Sequence, residues 1–325
     1  MRHRWFFGFG IGVLIVLVIG AGVVCAGPLK VFVTVAPQKE IVERLGGDRV
    51  QVMVLVPAGA DPHTFEPSPA HMKALAESSL FFPIGVPLEK NLIARIKSLN
   101  SQLRIVPMDR GLPKRLFTEH RQDDREPESV KAETGHEHED AKAEVGSAQR
   151  TASSHEHHAH ASGEPDPHVW LSPPLVMAMA RTTVLALMEA DPENRVVYEA
   201  RYKNFLSDVA ALDLEIHTIF QDAKPPRVFY VFHPSWGYFA EAYGLEQVAV
   251  ESEGKEAKPA HLKNIISSAR RLGVKTLFVQ PQFSTRSAEM VAREIGARLE
   301  VIDPLAEKWM DNLRQVSQRL REAMP

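Results

Sequence analysis

Residues 191–220 read DPENRVVYEARYKNFLSDVAALDLEIHTIF, and this long helical pattern decides the fold. Asp191-Pro192 opens the pattern, with Pro192 at a first-turn position where its missing N–H costs nothing. A helix of roughly 30 residues rises about 40 Å at 1.5 Å per residue, which is longer than one small lobe requires. We therefore predict that residues 192–221 form a stiff backbone helix that links two lobes.

Short apolar strands alternate with helical patterns on both sides of this helix. The predicted strands are 30–35, 49–56, 80–84 and 103–107 before it, and 227–232, 246–251, 276–279 and 298–302 after it. Such alternation favours parallel sheets with helical crossovers. The predicted fold is α/β, with two lobes (28–191 and 222–325) that each contain a parallel sheet flanked by helices.

The N-terminus has the pattern of an export signal. Basic residues precede an apolar run, 5–26, that ends in Val-Cys-Ala. We predict that residues 1–26 are a signal peptide and that the protein is periplasmic. The run is also long enough for an uncleaved membrane anchor. Cys25 could instead carry a lipid, although Val24 stands where lipoprotein signals usually have Gly, Ala or Ser.

Histidine is unevenly distributed in an otherwise ordinary composition. The net charge of -3 gives no electrostatic case for nucleic-acid binding. Residues 118–165 contain 12 acidic and 5 basic residues, seven histidines and no Phe, Trp, Tyr, Leu or Ile. Because so little apolar surface cannot offset the entropy of ordering, we predict a disordered loop. Its clustered histidines are predicted auxiliary, weak metal ligands: His136, His138, His155, His157, His158 and His160.

Four other metal-binding side chains lie near predicted strand ends or lobe edges. Asp61-Pro62-His63 lies beyond strand 49–56, and the same tripeptide recurs as Asp166-Pro167-His168 after the acidic loop. His233 and Asp303 each follow a strand of the second lobe and precede a proline. Ligands of open parallel sheets bind at the carboxyl ends of strands. We therefore predict a metal site formed by three imidazoles and a carboxylate.

Neutral imidazole and carboxylate are good ligands for Zn²⁺. Each neighbouring proline restricts the backbone beside a ligand and reduces the freedom lost on binding. Asp61 and Asp166 could each orient a ligating ring by accepting its other N–H. Helix capping is the alternative role for these two aspartates.

Six motifs together resemble the zinc-specific substrate-binding proteins of bacterial ABC transporters. They are ADPHTFEPSP (60–69), DPHVWLSP (166–173), ADPENRVVYEARYKNF (190–205), VFHPSWGYFAEAYGL (231–245), QPQFS (280–284) and VIDPL (301–305). The resemblance covers essentially the whole chain after the signal. It implies a monomer with two α/β lobes that holds metal between them and delivers it to a membrane permease with a cytoplasmic ATPase. The ligands that it implies are His63, His168, His233 and Asp303.

The third imidazole decides the expected metal. Relatives that bind manganese or iron usually have a glutamate where this chain has His233, and imidazole favours zinc over ions that prefer oxygen. Manganese stays an alternative, because some relatives with three histidines carry it. Gln280 replaces a glutamate found in many relatives, and we do not extend the site to it.

Two other classes of function compete with transport. A zinc enzyme could use Glu66 as a base, but the chain has no HExxH helix, and Asp303 would fill the position that catalytic zinc keeps for water. A passive metal buffer or adhesin could depend on the histidine-rich loop alone. We expect capture and delivery of zinc, with the loop raising its local concentration or sensing sufficiency, and no enzymatic activity.

Overall fold

The computed structural model describes residues 27–117, 164–251, 259–283 and 285–324. The predicted signal peptide, 1–26, lies outside these residues. So does nearly all of the predicted acidic loop, including its six auxiliary histidines. No helix within the described ranges is both long enough and apolar enough to cross a bilayer.

The first lobe contains a four-stranded parallel sheet in the order β2-β1-β3-β4. Its strands are β1 (Leu29–Val33), β2 (Val50–Val54), β3 (Leu80–Phe82) and β4 (Arg104–Ile105). Its helices are α1 (Ala36–Gly46), α2 (Pro69–Ala76) and α3 (Glu89–Leu99). Val31 lies opposite Val52 on one side and Leu80 on the other, which fixes the register of the central strand.

Two helices lie between the two sheets in sequence, α4 (Pro173–Ala190) and α5 (Arg195–Gln221), and a 3₁₀ turn, Pro192–Asn194, joins them. The 27 residues of α5 give a length of about 40 Å. One stripe of α5 is buried, formed by Tyr198, Phe205, Val209, Leu212, Ile216 and Phe220. The spacing of three, four or seven residues keeps these side chains on one helical face. That face lets α5 pack against α4 and α1.

The second lobe repeats the first in strand order, β6-β5-β7-β8, again parallel throughout. Its strands are β5 (Val228–Val231), β6 (Glu246–Ala249), β7 (Thr276–Val279) and β8 (Arg298–Val301). Its helices are α6 (Gly237–Ala242), α7 (Pro259–Arg271), α8 (Thr285–Ile295) and α9 (Trp309–Ala323). Helix α9 packs on α5, so the long helix contacts elements of both lobes. The α/β class, the two parallel sheets and the long helix are confirmed.

Two buried tryptophans connect the lobes. Trp170 donates its indole N–H to the carbonyl of Pro304 over 2.8 Å, and Trp309 donates to the carbonyl of Trp170 over 2.7 Å. Both indoles are fully buried, so breaking either hydrogen bond would leave unsatisfied polar groups in an apolar environment. Lys39 and Glu307 form an ion pair between the lobes at the surface. These contacts hold the lobes in one arrangement.

Candidate metal centre

Three histidines from separate segments meet between the lobes. His63 lies in the loop between β2 and α2, His168 precedes a 3₁₀ turn, and His233 lies two residues after β5. Their ligand-capable nitrogen atoms all lie within 4.8 Å of one another. The ring centroids are 5.3 Å apart for His63 and His233, and 5.4 Å apart for His168 and His233. One ion can therefore contact all three rings.

Asp166 orients the ring of His168. Its Oδ1 lies 2.7 Å from Nδ1 of His168 and also accepts the backbone N–H of that residue over 2.9 Å. A carboxylate can only accept, so Nδ1 carries the proton and Nε2 presents its lone pair to a metal. Both side chains are buried. The ring-orienting role predicted for Asp166 agrees with this geometry.

Asp61 does not bond to the ring of His63. Its Oδ1 accepts the backbone N–H of His63 over 2.9 Å, and its Oδ2 accepts the hydroxyl of Thr64 over 3.3 Å. This arrangement is a local turn in which an aspartate side chain binds the backbone two residues later. The structure thus corrects the ring-orienting role predicted for Asp61: the side chain shapes the loop that carries His63.

Glu251, which was not among the residues predicted from sequence, supports His233 as Asp166 supports His168. Its Oε1 lies 2.6 Å from Nδ1 of His233, and both side chains are buried. Glu251 ends the predicted strand 246–251, so it follows the strand that pairs with β5. A carboxylate at the carboxyl end of the neighbouring strand was the available signal. The bond leaves Nε2 of His233 for a metal.

The loop after β7 contacts both the backbone and the ring face of His233. Gln280 accepts the backbone N–H of His233 over 3.1 Å and donates to its carbonyl over 2.9 Å. The ring of Phe283 stacks on the imidazole, with centroids 4.4 Å apart and planes 22° apart. Gln280 therefore acts on the backbone of a ligand residue, which agrees with leaving it out of the ligand set.

Burial keeps two of the rings neutral. Loss of water contact lowers the pKa of His63, and the nearby His233 lowers it further. Burial also lowers the pKa of His233, partly offset by its hydrogen bond to Glu251. Nε2 of His63 is buried and has no hydrogen-bond partner among the described residues. A buried lone pair without a partner is unfavourable, so this atom is suited to a metal ion.

Asp303 lies outside the cluster of three histidines, although its neighbours Pro304 and Leu305 line the same cavity. It follows β8, and its Oδ1 accepts the backbone N–H of Leu305 over 2.9 Å and the Gln282 amide over 2.7 Å. The carbonyl of Asp303 accepts the side-chain amide of Asn312 over 2.7 Å. The structure thus unites His63, His168 and His233, and the direct ligation predicted for Asp303 stays a prediction.

Comparison with known proteins gives matches over nearly the whole described chain. The family described as "ZnuA: Zinc-uptake complex component A periplasmic" matches residues 31–323. A zinc-binding protein AdcA of Streptococcus pyogenes is 27% identical over 285 residues, which are 87% of this chain and 52% of that protein. This chain thus spans about half the length of that relative. The high-affinity zinc uptake system protein ZnuA of Bacillus subtilis is 27% identical over 85% of this chain and 78% of its own.

Solved structures match equally well. A crystal structure of ZnuA has a TM-score of 0.74 and 35% identity, covering 91% of this chain and 99% of that chain. A zinc-bound deletion mutant of ZnuA has a TM-score of 0.75 and 34% identity, covering 91% and 98%. A manganese-bound periplasmic metal-binding protein from candidatus liberibacter asiaticus has 19% identity and a TM-score of 0.71, covering 90% of this chain and 98% of that chain, and shares the fold.

Proposed function

Because the chain belongs to the family of ZnuA, the periplasmic component A of zinc-uptake complexes, we propose that it captures Zn²⁺ between its lobes. The main support for this proposal is that the ligand-capable nitrogen atoms of His63, His168 and His233 lie within 4.8 Å of one another. Carboxylates fix Nδ1 of two of these rings, and the third presents a buried nitrogen without a hydrogen-bond partner among the described residues. Such a site is prepared for a metal before the metal arrives.

Zinc is the proposed ion and manganese the alternative. Imidazole nitrogen suits Zn²⁺, whereas Mn²⁺ is better served by carboxylate, carbonyl and water oxygens. Glu251 also favours zinc, because its carboxylate bonds Nδ1 of His233 and is not one of the clustered metal-ligand candidates. A site in which His233 were replaced by a carboxylate would shift the donors towards manganese.

We also propose a place and a partner for the protein. The two relatives described above are named for zinc binding and zinc uptake. Export through a signal at 1–26 and delivery to an ABC permease, by a monomer, would complete the uptake route. The domain division 28–191, 192–221 and 222–325 belongs to this proposal. The indole hydrogen bonds between the lobes support small lobe shifts rather than wide hinge closure during transfer.

The acidic segment would assist capture. Its two ends are held together: Phe117 donates its N–H to the carbonyl of Glu164 over 3.1 Å, and Asp166 donates to Arg115 over 2.9 Å. The segment therefore leaves and rejoins the fold just before Asp166, which orients His168. The six histidines of this segment would raise the local concentration of zinc, with the tight site between the lobes.

The test is a competition titration of Zn²⁺ and Mn²⁺ against a chromophoric chelator, with wild type, His233→Ala and His217→Ala. His217 is an exposed residue on α5 and serves as the matched control. Loss of a residue that supports a metal ligand typically lowers metal affinity about 10- to 100-fold. We expect His233→Ala, which removes a ligand itself, to lower zinc affinity by more than this, and the control to match wild type. Wild type should prefer zinc. Equal zinc affinity of wild type and His233→Ala would refute the site.

A hydrolase screen of the zinc-loaded protein separates transport from catalysis. We propose that the chain is not an enzyme, and we expect no turnover of ester, peptide or phosphate substrates beyond that of free zinc. Glu66 lies three residues after His63 and is the base that a catalytic reading would require. Activity that disappears in Glu66→Gln would favour the enzyme.

A further inference from the structure

Gln282 carries a buried oxygen atom and lies at the cavity of the three histidines. Its side chain lines the same cavity as His63, His168 and His233. Oε1 of Gln282 is buried and has no hydrogen-bond partner within the described part of the chain. A buried amide oxygen without a partner is unfavourable, as is the unpaired Nε2 of His63 in the same cavity. Two unsatisfied electron-pair donors that line one cavity point to a shared cation.

Asp303 determines which atom of the Gln282 amide is left without a partner among the described residues. Nε2 of Gln282 lies 2.7 Å from Oδ1 of Asp303. Oxygen and nitrogen of an amide are assigned from their hydrogen bonds, and a carboxylate can only accept, so the nitrogen must face Asp303. The oxygen then has to point elsewhere. The same Oδ1 also accepts the N–H of Leu305 over 2.9 Å, which holds the carboxylate itself in place.

The neighbours of Gln282 hold its loop against the site. Gln280 makes two hydrogen bonds to the backbone of His233, and Phe283 stacks on the ring of His233. Gln282 lies between these two anchors in sequence. Its position relative to the nearest imidazole is therefore fixed from both sides, as a metal donor requires.

We propose that Oε1 of Gln282 is the fourth donor of the metal centre, and that Asp303 is a positioning residue that acts through it. This inference rests on the proposed zinc site. Closed zinc sites are four-coordinate, and three imidazoles leave one position. An amide oxygen is neutral and binds zinc less strongly than a carboxylate.

Two substitutions separate a Gln282 donor from an Asp303 donor. Gln282→Leu removes the oxygen at similar volume, and Gln282→Met is a second variant should the first fail to fold. Asp303→Asn removes the charge but keeps an oxygen that can accept from both Gln282 and Leu305. We expect Gln282→Leu to lower zinc affinity about tenfold or more, and Asp303→Asn to lower it less than about threefold. Thermal unfolding of the metal-free variants should match wild type.

Cobalt absorption gives a readout that a merely structural role would not change. We expect the Co²⁺-loaded wild type to keep its visible spectrum when azide is added, because all four positions are filled. Co²⁺-loaded Gln282→Leu should change its spectrum with azide, because the fourth position is open. Wild-type affinity in Gln282→Leu together with no azide response would overturn the proposal. A loss of about 100-fold in Asp303→Asn would also overturn it and assign the carboxylate as the ligand.

Failure of this inference is distinguishable from failure of the proposed function. If wild type binds one zinc tightly and His233→Ala does not, the zinc site stands whatever Gln282→Leu does. If His233→Ala binds zinc as wild type does, the zinc site itself fails.

Discussion

The buried pair of Glu251 and His233 gives the sharpest prediction. Replacing Glu251 by Gln keeps the shape of the side chain and an oxygen that can accept from Nδ1, but it removes the negative charge. The charge lies 2.6 Å from the ring, and the two side chains are 7% and 2% exposed, so water screens the interaction little. The ring of His233 should become a poorer electron donor to zinc.

The size of the effect follows from two independent magnitudes. Losing a carboxylate that supports a metal-bound histidine typically weakens binding about 10- to 100-fold, or about 1.4 to 2.7 kcal/mol. Hydrogen bonds to charged groups contribute about 1.5 to 3 kcal/mol. The two ranges overlap, so we expect Glu251→Gln to bind zinc about 10- to 100-fold more weakly than wild type.

Chelator competition at two pH values tests this reasoning. The hydrogen bond to Glu251 raises the pKa of His233 against the larger lowering by burial, so Glu251→Gln should lower that pKa. The affinity loss therefore comes from a weaker ligand and not from protonation, and it should persist between about pH 7 and about pH 8. Glu294→Gln, which alters an exposed carboxylate paired with Arg270, is the control. Affinity of Glu251→Gln within about twofold of wild type would refute the argument.

Three further results are expected. Burial lowers the pKa of His63 and of His233, so the unfolded chain binds more protons than the folded chain at low pH. The free energy of unfolding and the zinc affinity should therefore both fall as pH drops below about 6.5. Equal zinc binding at about pH 7.5 and about pH 5 would contradict this. Removing 118–163 should leave one tight zinc site by calorimetry, whereas a passive buffer would lose nearly all binding. Burial raises the pKa of Glu89 to about 7, so the charged form is disfavoured in the folded state. The contribution of Glu89 to stability should be lost as pH rises from about 4.5 to 7. The measurement is the free energy of unfolding of wild type minus that of Glu89→Gln across this pH range. A difference that stays constant would show that the carboxyl is ionised throughout.

Most of the fold could be predicted from local patterns. The predicted strand at 276–279 has the bounds of β7, because the apolar pattern of a strand depends on its own residues. Strand ends were less certain. The predicted strand 30–35 ends at Val33 in the structure, because Thr34 and Val35 instead bond through their backbone N–H groups to the side chain of Gln38.

The site also contains residues that local sequence patterns predict and residues that they do not. His63, His168 and His233 could be predicted because each follows a strand or lies at a lobe edge beside a proline. Glu251 stands at the end of a predicted strand, which makes it a candidate, but its pairing with His233, 18 positions away, depends on tertiary contacts, as does the pairing of Gln282 with Asp303, 21 positions away. Neither residue stands in a motif beside its partner, and pairing of strands and loops brings each pair together.

The repeated tripeptide Asp-Pro-His separates what the sequence determined from what the tertiary structure decided. In both copies the aspartate accepts the backbone N–H of the histidine over 2.9 Å, because a bond to the residue two positions later depends only on local geometry. Only Asp166 also bonds the ring. The ring of His168 packs against Phe117, 51 positions earlier in the chain, with centroids 6.2 Å apart, and Trp170 lies 5.2 Å away. Side-chain rotation depends on residues outside the tripeptide, so the two copies give one imidazole held at Nδ1 by its aspartate and one that its aspartate does not bond.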